Sequence, residues 1–320
     1  MTPAVAISSA LLNSSSTITV EEHGSLARKL KLPVYQWFDP NSAPQAIVVG
    51  IHGVTLDGKC FDDVARFLAS QGIVFVSFDM RGFGKWYHGI DPFEPDHTID
   101  YDQTVVDLVS LLKELRRRYW HVPIFCAGEC IGSSFCVQIA AEEPSLVDGL
   151  ILSSPPVRRY SYLTKHTLPE LGMSLITPNR QVDMEPFWRL FLSPDPNVVA
   201  ERVNDPAGRR FLSLVDLLAS NKVCRKTLAY ARDIPKRMPV IILQGANDHM
   251  MKPEGAELLL SELQSTHKSI RRLSGHGHML LETGCTSAEV KHSVLGWIKR
   301  RSKAYHSRSH TADFRAGAAS

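Results

Sequence analysis

Phe125-Cys126-Ala127-Gly128-Glu129-Cys130-Ile131-Gly132-Ser133-Ser134 is the stretch around which the chain is organised. An apolar run, Val122 to Cys126, comes before it, and a helix-like run, Phe135 to Ala141, comes after. At the junction the pattern is Gly-x-Cys-x-Gly. A strand that turns sharply into a helix forces its apex residue into strained backbone angles, and bulk two positions to either side would collide across the turn. The apex side chain, Cys130, is then pushed out at the mouth of the sheet. Beside it, the Ile131 N–H at the start of the new helix can face a developing oxyanion. Five residues alone fit such a nucleophile elbow. They also fit an ordinary strand–helix turn with a buried cysteine, so the rest of the chain has to decide.

Composition narrows the choice. The chain has 320 residues, 44% hydrophobic and 22% charged, which is ordinary globular material for one domain with an insertion or for two domains. Net charge is +3 without a concentrated basic stripe, so nucleic acid is a poor partner. No apolar run approaches the roughly 20 residues of a membrane helix, so no integral membrane segment is expected, and peripheral contact through the cap stays open. Residues 1–16 are Ala/Ser/Thr-rich, lack a basic start and are interrupted by Ser8, Ser9 and Asn13. They read as a disordered N-terminus and not as a signal peptide. Cys60, Cys126, Cys130, Cys136, Cys224 and Cys285 show no paired metal spacing and read as reduced thiols in a cytoplasm.

Taken in order, Thr17 to Glu22 and Val34 to Phe38 read as an opening antiparallel pair. Ala46 to Ile51 (AIVVGI) and Ile73 to Phe78 (IVFVSF) are continuous apolar runs, the mark of strands covered on both faces. Between them Phe61 to Ser70 is an amphipathic helix. Tyr101 to Tyr119 is a long helix ending in three arginines. Leu150 to Ser153 is a strand. From 157 to 237 the rhythm changes to helical segments broken by prolines: 161–176, 186–192, 196–203, 207–219 and 222–232. Val240 to Leu243 restores the strand pattern. A helix at Pro253 to Leu263, a strand at Ser269 to Leu273 and a helix from about Ser287 to Arg300 complete the core. Strands alternating with helices predict an α/β fold with a mostly parallel sheet and ligands at the carboxyl ends of its strands. The core is expected over 17–156 and 238–300, a helical cap over 157–237, and a disordered basic tail over 301–320.

The chemistry follows from residues just past those strands. A thiol needs a base, and the base needs an orienting acceptor. Asp248 follows the strand VIIL through a Gly-Ala-Asn turn, and His278 follows the last strand. Each could by itself be a turn or loop residue. In the order nucleophile, acid, histidine, each past a strand, they point to one site. His276 competes with His278, which is preferred because Met279-Leu280-Leu281 can anchor it. Asn247 is a weaker rival to Asp248, and Asp233 fits poorly. For the second oxyanion donor the loop His52-Gly53-Val54 is in the right place, and the Val54 N–H is chosen. His52 has a structural hydrogen-bonding reading and no proton-transfer role.

These pieces resemble the α/β-hydrolase fold, and within it the monoacylglycerol lipase and lysophospholipase-like group, of serine aminopeptidase S33 type. The matching residues are His52-Gly53, Asp79-x-Arg81-Gly82-x-Gly84, Gly128-Glu129-Cys130-Ile131-Gly132, Ser154-Pro155, Asn204-Asp205-Pro206, Gly245-x-x-Asp248 and Gly277-His278-Met279-Leu280-Leu281-Glu282. They span about 17 to 300. The group carries Ser at the elbow where this chain has Cys130. Dienelactone hydrolases and some acyl-CoA acyltransferases of this fold carry Cys there, and a Ser→Cys replacement would give the same sequence.

A thiolate attacks more readily than a hydroxyl, and a helix N-terminus with a nearby imidazolium favours it. The expected activity is hydrolysis of a carboxylic ester or thioester with an apolar acyl group through Cys130, His278 and Asp248. Acyl transfer to a non-water acceptor and non-catalytic binding are the alternatives. His52, Gly53, Phe83, Trp86 and Trp188 are the expected substrate-binding residues, with Tyr87 at the entrance. Tyr160, Tyr162, Leu163, Leu171, Met173, Phe187, Phe191 and Leu192 in the cap line an apolar site or form the cap's own core. No metal or other cofactor is implied.

Overall fold

Residues 18–161, 168–192 and 195–317 are described in the computed structural model, the side chains of 168–171 and 308–317 excepted. The N-terminal 1–16, Tyr162, Leu163 and the Leu171 side chain lie outside the described residues.

The chain runs β1 (Thr19–Glu21), α1 (Ser25–Leu30), β2 (Val34–Phe38), β3 (Ala46–Ile51), α2 (Asp62–Ala69), β4 (Ile73–Phe78), α3 (Gly84–His88), α4 (Tyr101–Arg118), β5 (Ile124–Glu129), α5 (Ile131–Glu142) and β6 (Gly149–Ser153). The cap follows as α6 (Leu168–Ile176), β7 (Val182–Asp183), α7 (Glu185–Phe191), α8 (Pro196–Asn204), β8 (Phe211–Leu212) and α9 (Leu214–Asp233). The chain closes with β9 (Val240–Gly245), α10 (Pro253–Glu262), β10 (Lys268–Leu273) and α11 (Ala288–Gly317).

The large sheet has the order β1-β2-β4-β3-β5-β6-β9-β10. β4 to β10 run parallel, while β2 joins β4 and β1 joins β2 antiparallel. Every residue of β3, β4, β5, β6 and β9 is buried, as apolar runs covered on both faces require. Alternation splits the core in two. Ile47, Val49 and Ile51 face the cluster built with α4 and α5, and Val48 faces the cluster of α2 and α11. Each fully buried aliphatic side chain contributes about 1.5–3 kcal/mol of transfer free energy, so these two layers hold the sheet against its helices.

Register sets where the site forms. Ile51 pairs with Gly128, Glu129 with Ser153, and Ser153 with Leu243. The carboxyl ends of β3, β5, β6 and β9 therefore align, and the segments after them open on one edge.

Several elements differ from the sequence reading. α1 and α3 fall where the sequence reading assigned no element, because both are too short to show a period. The helices read at 207–219 and 222–232 are replaced by one helix, α9, which starts only at Leu214, is opened by a capping box at Ser213 and Asp216, and runs unbroken through 220–221. Its far end belongs to the main core, where Ala231 and Ile234 are buried, and Thr227 Oγ1 lies 2.7 Å from Ser134 Oγ on α5. The cap also holds a short ribbon, Val182 opposite Leu212, too brief for an apolar run. At the C-terminus the segment read as a disordered tail continues α11 to Gly317. Absence of apolar residues signals lack of a buried face; it does not stop a helix that follows on from a packed one.

Candidate active site

Cys130 caps α5 with φ 51° and ψ −116°, a conformation that costs an L-residue on the order of 1–3 kcal/mol. The flanking glycines make it possible. A Cβ on Gly128 would collide with the backbone of Gly132 and Ser133, and one on Gly132 with the Ile51 carbonyl. The turn is tied down by Cys130 N–H donating to Ser153 O at 3.0 Å and by Ser133 Oγ donating to Gly128 O at 2.9 Å. The thiol is partly exposed.

His278 is buried beside it. Its Nδ1 lies 2.9 Å from Asp248 Oδ2, and Cys130 is near enough to favour its charged form. Burial works against the charged imidazole, but the Asp248 carboxylate and then Cys130 more than offset it, and the group sits well above its ordinary value. Asp248 is buried and saturated. Met250 and Met251 N–H donate to Oδ1 at 2.8 Å, and Gln244 Nε2 donates to Oδ2 at 3.0 Å. Burial would raise this carboxyl, yet His278 and those N–H groups hold it below the usual range. His276 instead bridges Ser274 O and Ser287 Oγ, and Asn247 and Asp233 are exposed.

Val54 and Ile131 both line the cavity that Cys130 opens into. Neither N–H donates a hydrogen bond among the described residues. The loop after β3 is close: a Cβ on Gly53 would stand 3.6 Å from the Cys130 Cβ.

That cavity has a volume of about 610 Å3 and is mainly apolar, with Trp188, Phe187, Leu212, Leu217 and Met184 from the cap as walls. Trp188, one of the five expected substrate-binding residues, lines the cavity. The other four expected substrate residues line no part of it. His52 is fully buried: Met80 N–H donates to Nε2 at 3.0 Å, and Nδ1 faces Gly53 O at 2.8 Å. Burial pushes its pKa down to about 4, which keeps it neutral. Phe83 is buried between His52 and Tyr101, and Trp86 packs under Arg81 and against Phe93. His52 and Phe83 follow strands, but their side chains fold back into the core.

Residues beyond the sequence reading support the site. Glu129 Oε2 accepts Leu280 and Leu281 N–H at 3.2 and 2.8 Å, and Oε1 accepts Ser153 Oγ at 2.8 Å. Ser154 Oγ donates to His278 O at 2.6 Å. Asp79 accepts Tyr35 OH and the N–H groups of Gly58 and Lys85, so the Asp-x-Arg-Gly-x-Gly loop is structural. Cys224 is a second thiol in the cavity wall, pushed up to about 12 first by burial and then by Cys130. Contacts like these join residues far apart in sequence, and only the paired spacing of Glu129 and Ser154 to recognised motifs marks them.

A mostly parallel eight-stranded sheet with helices on both faces, a cap over its carboxyl edge, and a glycine-flanked cysteine with a histidine–carboxylate pair beside that edge are the architecture of an α/β-hydrolase. The chain belongs to the serine aminopeptidase S33 family, whose match covers residues 42–283. It is 26% identical over 274 residues to the monoglyceride lipase of Homo sapiens, covering 83% of this chain and 86% of that one. It is 29% identical over 280 residues to the monoglyceride lipase homolog of Monkeypox virus, covering 84% and 94%. Among solved structures, a soluble variant of the Saccharomyces cerevisiae monoglyceride lipase in complex with a substrate analog superposes with a TM-score of 0.69 at 19% identity, covering 92% and 98%. The Paleococcus ferrophilus monoacylglycerol lipase gives 0.66 at 21%, covering 84% and 99%. With the family these place the chain among the ester-hydrolysing, monoglyceride lipase-like α/β-hydrolases.

Proposed function

We propose that the chain hydrolyses esters of apolar acyl groups, including monoacylglycerol-like lipids, with Cys130 as nucleophile. The observation that carries this reading is the Cys130–His278–Asp248 chain at the floor of an apolar cavity of about 610 Å3. The Cys130 sulfur attacks the ester carbonyl carbon. The carbonyl oxygen becomes an oxyanion held by the Val54 and Ile131 N–H groups, and on collapse the C–O bond breaks. The alcohol leaves with a proton from His278, and a thioester remains on Cys130. Water then attacks that thioester as His278 takes its proton, the C–S bond breaks, and the acid departs. Asp248 keeps the imidazole oriented throughout.

Exposed Leu175, Ile176 and Leu218 on the cap support contact with the lipid surface where such substrates reside. Six unpaired cysteines support a reducing, cytoplasmic setting. Among the described residues no helix is long and apolar enough to cross a membrane.

The test is turnover of p-nitrophenyl butyrate by the parent and by Cys130→Ala, with intact mass recorded early. Sustained turnover that the substitution abolishes is the expected result. A single burst leaving a stable acyl mass would favour acyl transfer with a missing acceptor. Equal rates with no adduct would overturn the nucleophile assignment.

A further inference from the structure

The loop after β3 holds its strain at Thr55, whose φ of 72° lies in the left-handed region that branched residues seldom adopt. Such a conformation persists only where its surroundings hold it. Here the holder is the cap. The Thr55 carbonyl accepts the Arg209 N–H at 3.0 Å and the guanidinium of Arg202, a buried residue of α8. The other arm of Arg202 is on Asp205 Oδ2 at 2.6 Å. Its guanidinium lies 5.3 Å from the centre of the Trp188 ring, which is a wall of the cavity. Gly208 leaves room for it, since a Cβ there would run into the guanidinium. A buried cation is costly unless its partners are well placed. This one places an arm on a neutral carbonyl one residue from Val54, which lines the cavity with Cys130 and whose N–H donates no hydrogen bond among the described residues.

We propose that Arg202 is a positioning residue for the oxyanion hole. By gripping the Thr55 carbonyl from the cap, it holds the left-handed turn and thereby the direction of the Val54 N–H. The proposal rests on the reading of Cys130 as an acyl nucleophile. It makes the cap part of the reaction machinery as well as a wall: one guanidinium supports both the ring that meets the acyl chain and the loop that meets the oxyanion.

Two single-turnover rates test it. Acylation of Cys130 by p-nitrophenyl butyrate, followed by p-nitrophenolate release and intact mass, passes through an oxyanion. Alkylation of Cys130 by iodoacetamide displaces iodide at a saturated carbon and forms none. Loss of a whole oxyanion donor costs about 10²–10³ in rate, so a misaimed one in Arg202→Lys is expected to slow limiting acylation by about 10–100-fold. Half-saturation and the alkylation rate should stay near those of the parent. Asp205→Asn keeps the Oδ1 acceptor that Ala207 N–H uses at 3.0 Å and loosens only the grip on Arg202. It should give a smaller loss of the same kind, and it stands in if Arg202→Lys does not fold. Acylation at the parent rate in the folded variants overturns the clamp alone. An equal fall in acylation and alkylation also overturns it, because the whole site would then have collapsed. A parent that is alkylated at Cys130 but never acylated overturns the nucleophile reading and the clamp with it.

Discussion

Glu129 accepts the Leu281 N–H at 2.8 Å, so the residue just before the elbow cysteine holds the loop that carries His278. The turn that carries Cys130 and the loop that carries His278 are thus built on one another, although their segments lie far apart in sequence. Glu129 is fully buried, and burial pushes its carboxyl up despite His278 and the N–H groups that favour its charge. Glu129→Ala should free the loop and lower kcat/KM for p-nitrophenyl butyrate by about 10²-fold, because an ångström of misplacement at the base is costly. Steady-state kinetics on folded protein, verified by circular dichroism, checks this; activity within a factor of two of the parent would remove Glu129 from any such role.

Asp248 is the main support of the His278 charge. Asp248→Asn should drop turnover by about 10³–10⁴-fold, the scale seen when a triad carboxylate is neutralised. The sign of the accompanying pH effect follows from linkage. His278 is raised in the fold, so its contribution to stability is complete below its unfolded value and is lost as pH rises through its folded value. Asp248 is lowered, so its contribution is present above its unfolded value and lost as pH falls through the folded one. In Asp248→Asn the His278 titration moves to lower pH. Rates of Cys130 alkylation between pH 5 and pH 10 would reveal that shift, and an unchanged profile would rule out the coupling.

Glu282 is buried near Glu129, and burial, followed by that neighbour, pushes its pKa up to about 8. A carboxyl raised in the fold binds its proton more tightly folded than unfolded. Stability should therefore fall as pH climbs from about 4.5 to 8 and level off beyond. Glu282→Gln removes the cost of the buried charge and should raise the melting temperature at pH 8.5 by about 2–4 °C, with little gain at pH 5. Thermal melts at the two pH values test this, and a gain equal at both would contradict the cause given.

Gly132 approaches the Ile51 carbonyl so closely that a Cβ cannot be accommodated. Gly132→Ala should cost about 3 kcal/mol or more by forcing β3 and α5 apart. Urea unfolding is the measurement; a stability loss below about 1 kcal/mol would mean that the elbow relaxes freely.

Trp188 is a large cap wall of the cavity, only 4% exposed. Trp188→Ala should raise KM for long-chain p-nitrophenyl esters by about 10-fold while leaving the butyrate ester less affected, since each methylene out of water is worth about 0.8 kcal/mol. A chain-length series on both proteins tests it, and parallel changes across the series would place the acyl chain elsewhere.

Much of this molecule can be read along the chain. Apolar runs such as Ala46–Ile51 name the buried strands, because a strand covered on both faces needs no polar alternation. Gly128 and Gly132 mark the elbow, because only a residue without a side chain fits that turn. Asp248 and His278 declare themselves by falling just past strands. These signals are local: period, turn chemistry and order. Other features depend on what the register brings together. Phe83 and Trp86 follow a strand as a binding residue would, yet packing turns them inward and leaves Trp188 to line the cavity. Glu129 finds Leu281, and Arg202 finds Thr55, only after the sheet aligns its strand ends and the cap closes over them. Long-range hydrogen bonds leave no period in a sequence, since either partner would read the same wherever the other lay.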